Sequence, residues 1–471
     1  MRDLGFGLIF AALLPAVVIS ASMGVLIWVW TALLSPNELL YGFLAAVPMN
    51  RIVAAITILV ILSTQERKGA YLDAMIVLLL LFALTATGSW ATSIVSTDDG
   101  DAIFQKVLKE ITLAVAITAV MATRHRLHLL VLTICAGFGF IGVKEGLIFL
   151  LTAGGHKVEG ILSVGDNNSL ATALLMIVPL MFYLSRYSAM RFVRIGLLAA
   201  MGLCLVTVVA TYSRGGFVGL LILGAFMVKN SRNRFGSLVL VLLGGALIWG
   251  LAPDSWFERL NTIREAGDDS SFMGRVNAWK ISVLVALDHP LLGGGLHAIQ
   301  RYVVWTGYKP GVGLLDFIPT PPVEENARAA HSSYFEVLGD LGFTGLALYL
   351  AILGVAIWQC RSIHRMARPH PSLAWAADLG RMMQISLMVY IVTTALLSMA
   401  YFEFLYVLLA LISRTRRTVQ QTIAAEAGQE GPGQAGPGRA EVPPQMAGAA
   451  ARPSPAYVRQ ANPPARPALP R

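Results

Sequence analysis

The fold class is decided by residues 191–229, RFVRIGLLAAMGLCLVTVVATYSRGGFVGLLILGAFMVK. Two apolar runs, near 192–212 and 215–229, are joined only by the short polar turn Thr211–Gly216. Backbone groups inside a hydrocarbon core must be hydrogen-bonded within their own segment, which favours helices over strands. The stretch therefore predicts a tight hairpin of two membrane-spanning helices with an arginine, Arg214, at its turn.

The same apolar pattern recurs along the chain. Of its 471 residues, 56% are hydrophobic and 13% are charged, and the mean hydropathy is +0.66. A soluble domain carries roughly 25% charged residues, so this composition excludes an ordinary globular protein. A membrane crossing needs about 20 apolar residues. We expect an all-α, polytopic membrane helix bundle of about 12 spans.

The distribution of basic residues predicts the orientation of the chain. The net charge is +9, but Lys and Arg lie mainly in short loops and in the C-terminal tail. Cytoplasmic loops of membrane proteins are rich in these residues. This places the N-terminus in the cytoplasm and the Thr211–Gly216 turn outside, and it argues against a nucleic-acid partner. The first apolar run lacks a convincing cleavage site, so we expect it to be retained.

Four regions are expected. Residues 1–251 hold the N-terminal membrane helices, although before residue 65 the pattern is ambiguous: Leu4–Leu34 suits two spans, and Ser35–Thr64 suits one tilted span or two short ones. Residues 252–330 form one long external loop with short helices. Residues 331–417 hold the C-terminal membrane helices. Residues 418–471 are rich in Pro, Ala and Gly, which predicts a disordered cytoplasmic tail.

Arg214 is the first candidate for a functional residue. An arginine at membrane depth is costly unless it is paired or lines a wet cavity. Its planar guanidinium suits bidentate binding of phosphate oxygens. The alternative is that Arg214 extends to a membrane interface beside a loop. Composition favours neither reading.

The long external loop supplies two further candidates. Arg275 lies near the start of a predicted amphipathic helix, Met273–Leu287, whose buried side would contain Val276, Trp279, Ile281, Val283 and Leu284. There it would contact an anion or be a solvated surface charge. His331 lies where the chain re-enters the membrane. A neutral imidazole accepts a proton near pH 7, so His331 is the best candidate for a general base; the alternative is an interfacial histidine bonded to a loop.

Other polar residues carry weaker signals. Lys144 and Glu145 are adjacent in sequence, so on a helix they are expected to have separate partners. The triplet Asp166–Asn168 starts a predicted span. His289 precedes a proline and a glycine-rich turn, which favours a structural role. The cysteines show no paired spacing, and we predict neither disulfides nor a metal site.

The order of these residues resembles that of a known family. It consists of an S-R-G hairpin at Ser213, G-R-x(3)-W at Gly274, H-P-x(2)-G-x-G at His289 and H-S-x-Y at His331. This series resembles the O-antigen ligase and polymerase superfamily of bacterial envelope glycan assembly, best over residues 160–350. The N-terminal pattern around Ser35–Glu38 looks closest to the probable O-glycosylation ligases associated with exosortase A systems.

The resemblance implies a metal-independent glycosyltransferase with a GT-C-like fold and no cofactor, in the bacterial inner membrane with its active site facing the periplasm. Its donor would be a glycan on undecaprenyl or another polyprenyl pyrophosphate, and its acceptor the hydroxyl of a lipid or protein. Arg214 and Arg275 would bind the pyrophosphate, and His331 would take the proton of the acceptor. Many members have Asn after the histidine; Ser332 stands here, which puts the orientation of the imidazole in question.

Two other functions compete with the ligase. A polymerase that joins lipid-linked repeat units shares the donor chemistry, so the sequence separates it poorly. A polyprenyl-glycan transporter or flippase would use the same arginines to bind phosphate during translocation. Internal repeats are expected of many transporters, and none is evident here. Among candidate midplane charges the pattern offers mainly Lys144 and Glu145, and transport leaves the long loop unexplained.

Overall fold

The computed structural model describes residues 2–40, 42–66, 71–160, 165–230, 270–308 and 327–429, with a few isolated positions between them. Within these residues all regular structure is helical. Residues 1–424 form one compact unit, and a second unit comprises residues 425–471. The predicted span near 235–252, the residues that follow it to 269, and the tail from 430 lie outside the described residues.

The α-helices are numbered here in chain order. They are α1 Arg2–Ile19, α2 Ala21–Leu34, α3 Met49–Ser63, α4 Ala74–Ala91, α5 Asp98–Val120, α6 Arg124–Leu151, α7 Asn167–Tyr187, α8 Arg191–Ala210, α9 Arg214–Asn230, α10 Ser270–Asp288, α11 Tyr302–Tyr308, α12 Ser333–Ala367, α13 Ala374–Thr393 and α14 Glu403–Gln429. The predicted hairpin corresponds to α8 and α9. The ambiguous stretch Ser35–Thr64 contains one α-helix, α3, preceded by two short 3-10 turns.

Several helices have the dimensions of membrane spans. In the described part of the chain, six are long and apolar enough to cross a membrane: α4, α6, α7, α8, α12, and α13 with its flanking turns. The apolar helices α1, α2 and α3 are shorter. The protein is thus a helical, membrane-embedded protein, while the total of about 12 spans and the GT-C likeness stay predictions.

Helix α5 carries charges that find partners within the bundle. The ammonium of Lys106 lies 3.2 Å from a carboxylate oxygen of Glu403, at the start of α14. The same ammonium lies 4.0 Å from the buried carboxylate of Glu110, one turn along α5. Charges inside a membrane bundle are tolerated when they face one another in this way.

The long helix α12 is interrupted at Gly342, whose φ is +67°. At the interruption, the carbonyls of Gly339 and Asp340 accept hydrogen bonds from the glycine-rich turn that follows α10. Gly294 N–H donates to the Gly339 carbonyl at 2.9 Å, and Gly295 N–H donates to the Asp340 carbonyl at 3.2 Å. In return, Phe343 N–H donates to the carbonyl of Pro290 at 2.9 Å. The turn therefore satisfies backbone groups that a broken membrane helix exposes.

The loop region between α9 and α12, described at residues 270–308 and 327–332, has its own small apolar cluster. Its buried members come from α10, the 3-10 turn Ala298–Gln300, α11 and the segment before α12: Ala278, Ile281, Val285, Ile299, Val304, Trp305 and Ala330. The predicted helix Met273–Leu287 lies within α10. Of the five side chains expected to be buried there, Ile281 is buried, whereas Val276, Trp279, Val283 and Leu284 are half-buried.

Two expectations from the sequence need correction. Lys144 and Glu145 were expected to have separate partners, but the ammonium of Lys144 lies 2.8 Å from Glu145 Oε1; Glu145 also has a partner of its own, His156, whose Nε2 lies 2.7 Å from Oε2. The tail was expected to lose structure from residue 418, but α14 continues to Gln429. Residues 418–429 have few Gly and no Pro, which permits the helix to continue.

Replacing Gly293 by alanine should destabilise the protein by about 1–3 kcal/mol. Its φ is +68°, and an added Cβ would lie 2.5 Å from the carbonyl group of Asp340. Thermal unfolding of the detergent-purified protein measures the effect. Gly354→Ala in α12 is the matched control, because a Cβ there meets nothing within 4 Å. Equal melting temperatures for the two variants would contradict the role assigned to the turn.

Candidate active site

The Arg214 turn is fixed to the start of α7. Ser213 Oγ accepts the N–H of Gly216 at 2.8 Å and so caps α9, and it donates to Asn168 Oδ1 at 2.6 Å. Asn167 Nδ2 donates to the carbonyl of Thr211 at 2.7 Å. Arg214 begins α9, and its side chain is exposed. These bonds hold the turn that carries Arg214 next to the Asp166–Asn168 triplet.

Asp166 is the most firmly held carboxylate near this turn. It accepts hydrogen bonds from Ser169 N–H at 2.9 Å, from Ser169 Oγ at 2.8 Å and from Asn168 Nδ2 at 2.7 Å. Burial alone would raise its pKa, but these bonds, helped by His331 at the low pH where its imidazole is protonated, hold the pKa of Asp166 below its usual range. Asp166 is therefore a fixed negative charge within electrostatic reach of His331.

His331 lies just before α12 with a left-handed backbone, at φ +46°. Its side chain is half-buried. Burial lowers the pKa of His331, the positive charge of Arg275 lowers it further, and Arg328 adds to the same effect. Asp166 and Glu336 oppose the shift without reversing it. The imidazole is therefore neutral at pH 7 and able to accept a proton.

Arg275 and Arg328 belong to two segments of the loop region that are distant in sequence. Arg275 lies in the second turn of α10, and Arg328 lies three residues before His331. The charges of both side chains act on the imidazole. The sequence identified Arg275 through its motif, but Arg328 stands in none of the quoted motifs.

A second polar group lies beside the first turn of α12. His297 also has a left-handed backbone, at φ +56°. Its ring Nε2 lies 3.6 Å from Glu336 Oε1, and its backbone N–H donates to Asp340 Oδ1 at 3.0 Å. Tyr401 OH donates to Asp340 Oδ2 at 3.0 Å, and Ala400 N–H donates to Glu336 Oε2 at 3.1 Å. Burial would lower the pKa of His297, but its bond to Glu336 and the nearby carboxylates raise it. The loop region is thereby joined to α12.

The structure places two of the three predicted residues within electrostatic range of each other. Arg275 acts electrostatically on His331, whereas Arg214 is connected to that pair through Ser213, Asn168 and Asp166. Sequence reasoning missed Arg328 and His297. The position of Arg328 three residues before a motif histidine was the available signal; for His297 there was none, because its partners are distant in the chain. In chemical terms the site offers fixed cations for an anion and a neutral base beside them.

Fold and site together define a membrane-embedded protein with a cationic, base-containing site. A family model described as O-antigen ligase matches residues 199–350, which include Arg214, Arg275, Arg328 and His331. This match covers about a third of the chain and supports its assignment to the O-antigen ligase and polymerase superfamily. This family indicates a ligase- or glycosyltransferase-like enzyme for glycan transfer from a lipid-linked substrate.

The N-terminal part has a separate match. Residues 1–189 match a family of unknown function, DUF5935. No curated protein shows significant similarity to the chain. Within the described residues no cluster of His, Cys, Asp and Glu is arranged to hold a metal ion. The three cysteines, Cys135, Cys204 and Cys360, are buried as free thiols.

The charges around His331 predict opposite pKa shifts in two variants. Arg275→Gln removes a positive charge and should raise the pKa of His331, whereas Asp166→Asn removes a negative charge and should lower it. Asparagine also caps helices well, so α7 should stay intact. Diethyl pyrocarbonate modifies neutral imidazole, and its rate at His331 against pH, followed by peptide mass spectrometry, gives the pKa.

In the unmodified protein the midpoint should lie below the ordinary histidine value of 6.5. Because only the neutral form reacts, the Arg275→Gln midpoint should move to higher pH and the Asp166→Asn midpoint to lower pH. Midpoints that move in the same direction in both variants would show that these charges do not govern the imidazole.

Proposed function

We propose that the protein is a glycan ligase that transfers a preassembled glycan from a polyprenyl-pyrophosphate carrier to the hydroxyl of a lipid or protein acceptor. The proposal rests on His331, a half-buried imidazole whose pKa is lowered by burial and by the positive charge of Arg275. A hydroxyl nucleophile needs a base, and an anionic leaving group needs fixed cations. The O-antigen ligase match over residues 199–350 is consistent with the same chemistry.

The reaction would be a direct displacement at the anomeric carbon. The acceptor oxygen forms a bond to that carbon while the bond from the carbon to the pyrophosphate oxygen breaks. The acceptor proton passes to His331, and the electron pair of the broken bond leaves with the polyprenyl pyrophosphate. Arg214 and Arg275 would bind that pyrophosphate and stabilise the charge it gains. Direct displacement inverts the configuration of the anomeric carbon.

Asp166 suits a supporting role in this step. Proton transfer turns His331 into an imidazolium, and a nearby carboxylate stabilises that cation. Asp166 is anionic and immobilised by its hydrogen bonds to Ser169 and Asn168. We assign to Asp166 the role of a positioning residue that acts through His331.

The cellular setting is part of the proposal. The Arg214 turn and the loop region would face the periplasm across a bacterial inner membrane, and the basic residues in the short loops on the other side support this orientation. A polyprenyl-linked glycan would be presented on the periplasmic side. The closer likeness to ligases associated with exosortase A systems belongs to the proposal as well, because it follows from the N-terminal pattern around Ser35–Glu38.

His331→Ala should reduce glycan transfer by roughly 10²–10⁴-fold, the usual contribution of a general base. The purified protein is reconstituted in liposomes with a polyprenyl-pyrophosphate glycan and candidate lipid or peptide acceptors, and product is followed by mass spectrometry. His289→Ala is the matched control, because its side chain is exposed in the same loop region. It should transfer glycan at the rate of the unmodified protein.

The products separate the competing functions. A glycan attached to a lipid or peptide acceptor supports the ligase. Longer glycans that remain on the polyprenyl carrier would indicate a polymerase, and movement of carrier across the bilayer with no new glycosidic bond would indicate a transporter. Undiminished transfer by His331→Ala would remove the proposed base.

A further inference from the structure

Arg328 lies directly against the residue that precedes Arg275. A Cβ added to Gly274 would meet three atoms of the Arg328 side chain, with Nη1 at 2.7 Å, Cδ at 2.9 Å and Cζ at 3.1 Å. Glycine at position 274 thus leaves the space that the Arg328 guanidinium occupies. The contact brings Arg328 to the part of α10 that carries Arg275.

The segment from Arg328 to His331 is fixed in this position. Trp279 Nε1, one turn beyond Arg275 on α10, donates to the carbonyl of Ala330 at 2.7 Å. The indole ring also stacks on Phe335 of α12, with ring centres 5.1 Å apart and planes within 12°. The two arginines are therefore held on one rigid framework together with His331.

The charges around His331 place both arginines near the imidazole. Arg275 and Arg328 act on it together with Asp166 and Glu336. A pyrophosphate carries several negative charges and enough oxygens to accept bidentate hydrogen bonds from more than one arginine.

We infer that Arg328 is a further binding residue for the donor pyrophosphate, paired with Arg275 across Gly274. This inference builds on the proposed function, because the proposed ligase supplies the anion. It adds a residue outside the quoted motifs and gives Gly274 a specific purpose. Pyrophosphate bound between the two cations would also offset their effect on His331, so the base would become stronger when the donor is present.

Binding of farnesyl pyrophosphate to the detergent-purified full chain tests the inference without relying on transfer. Arg328→Gln should weaken binding by about tenfold or more, the usual effect of losing a charge-assisted hydrogen bond. Arg328→Lys, which keeps the charge, should recover part of the affinity. Arg301→Gln is the control arginine: it is partly exposed in the same region, pairs with Asp99 at 3.7 Å, and should bind like the unmodified protein.

Gly274→Ala tests the geometry by itself. Its new methyl group would displace the Arg328 guanidinium, so it should weaken binding about as much as Arg328→Gln. The double variant should bind no more weakly than Arg328→Gln alone, because both changes remove one interaction. Gly307→Ala, where a Cβ meets nothing within 4 Å, is the matched glycine control. A general loss of structure would not produce this non-additivity.

The pH dependence of His331 modification supplies a second measurement. Arg328→Gln should raise the midpoint of the reaction with diethyl pyrocarbonate, while Arg328→Lys should leave it near that of the unmodified protein. Unchanged farnesyl pyrophosphate binding in Arg328→Gln, or additive losses in the double variant, would overturn the inference. If the unmodified protein binds farnesyl pyrophosphate but transfers no glycan, the proposed function fails while the assignment of Arg328 stands.

Discussion

The demand for backbone hydrogen bonding in α12 governs the arrangement of the candidate site. Once Gly342 breaks the helix, the carbonyls of Gly339 and Asp340 need donors that lipid cannot supply. The N–H groups of Gly294 and Gly295 and the hydroxyl of Ser89 meet this need. The end of α10 is thereby attached to the membrane helices. Since α10 also carries Arg275, a purely structural requirement sets the position of a candidate binding residue.

Burial and the charged residues near His331 then set the pKa of its imidazole. Cations close to a histidine usually make it a poorer base, yet they keep it neutral over a wide pH range. Asp166 limits the effect, and its own charge is maintained by the cap of α7. Asn168, which donates to Asp166, also accepts a hydrogen bond from Ser213 and so connects Asp166 to the Arg214 turn. Helix capping and acid–base chemistry are thus served by one set of side chains.

Much of the fold could be predicted from the sequence, because long apolar runs predict membrane helices. The α8–α9 hairpin was predicted in this way, whereas α10 was predicted from an amphipathic pattern and the superfamily from the order of short motifs. The prediction lost accuracy where contacts between distant segments decide the outcome. Nothing in the local sequence marks Gly342 as the point where α12 breaks, and the distant Gly293–Gly295 turn supplies the hydrogen bonds that the break requires.

The candidate site shows the same division. Arg214, Arg275 and His331 stand in short motifs, so the sequence alone identified them. Arg328 could not be identified so directly, because its significance depends on a contact with Gly274, more than fifty residues earlier. His297 gains its partners, Glu336 and Asp340, only through folding. Chemistry that resides in one residue type is visible in sequence, whereas chemistry created by proximity is not.

The left-handed backbone of His331 has a practical consequence for capturing the protein with its donor. A non-glycine residue in this conformation carries a conformational cost of about 1 kcal/mol, which asparagine and glycine bear more easily. Either residue at position 331 would relax the chain while removing the imidazole. Such a variant would have an unstrained backbone at position 331 and would keep the cationic residues of the site. Because it lacks the proposed base, the donor would remain unreacted, which suits crystallography or electron microscopy of the complex.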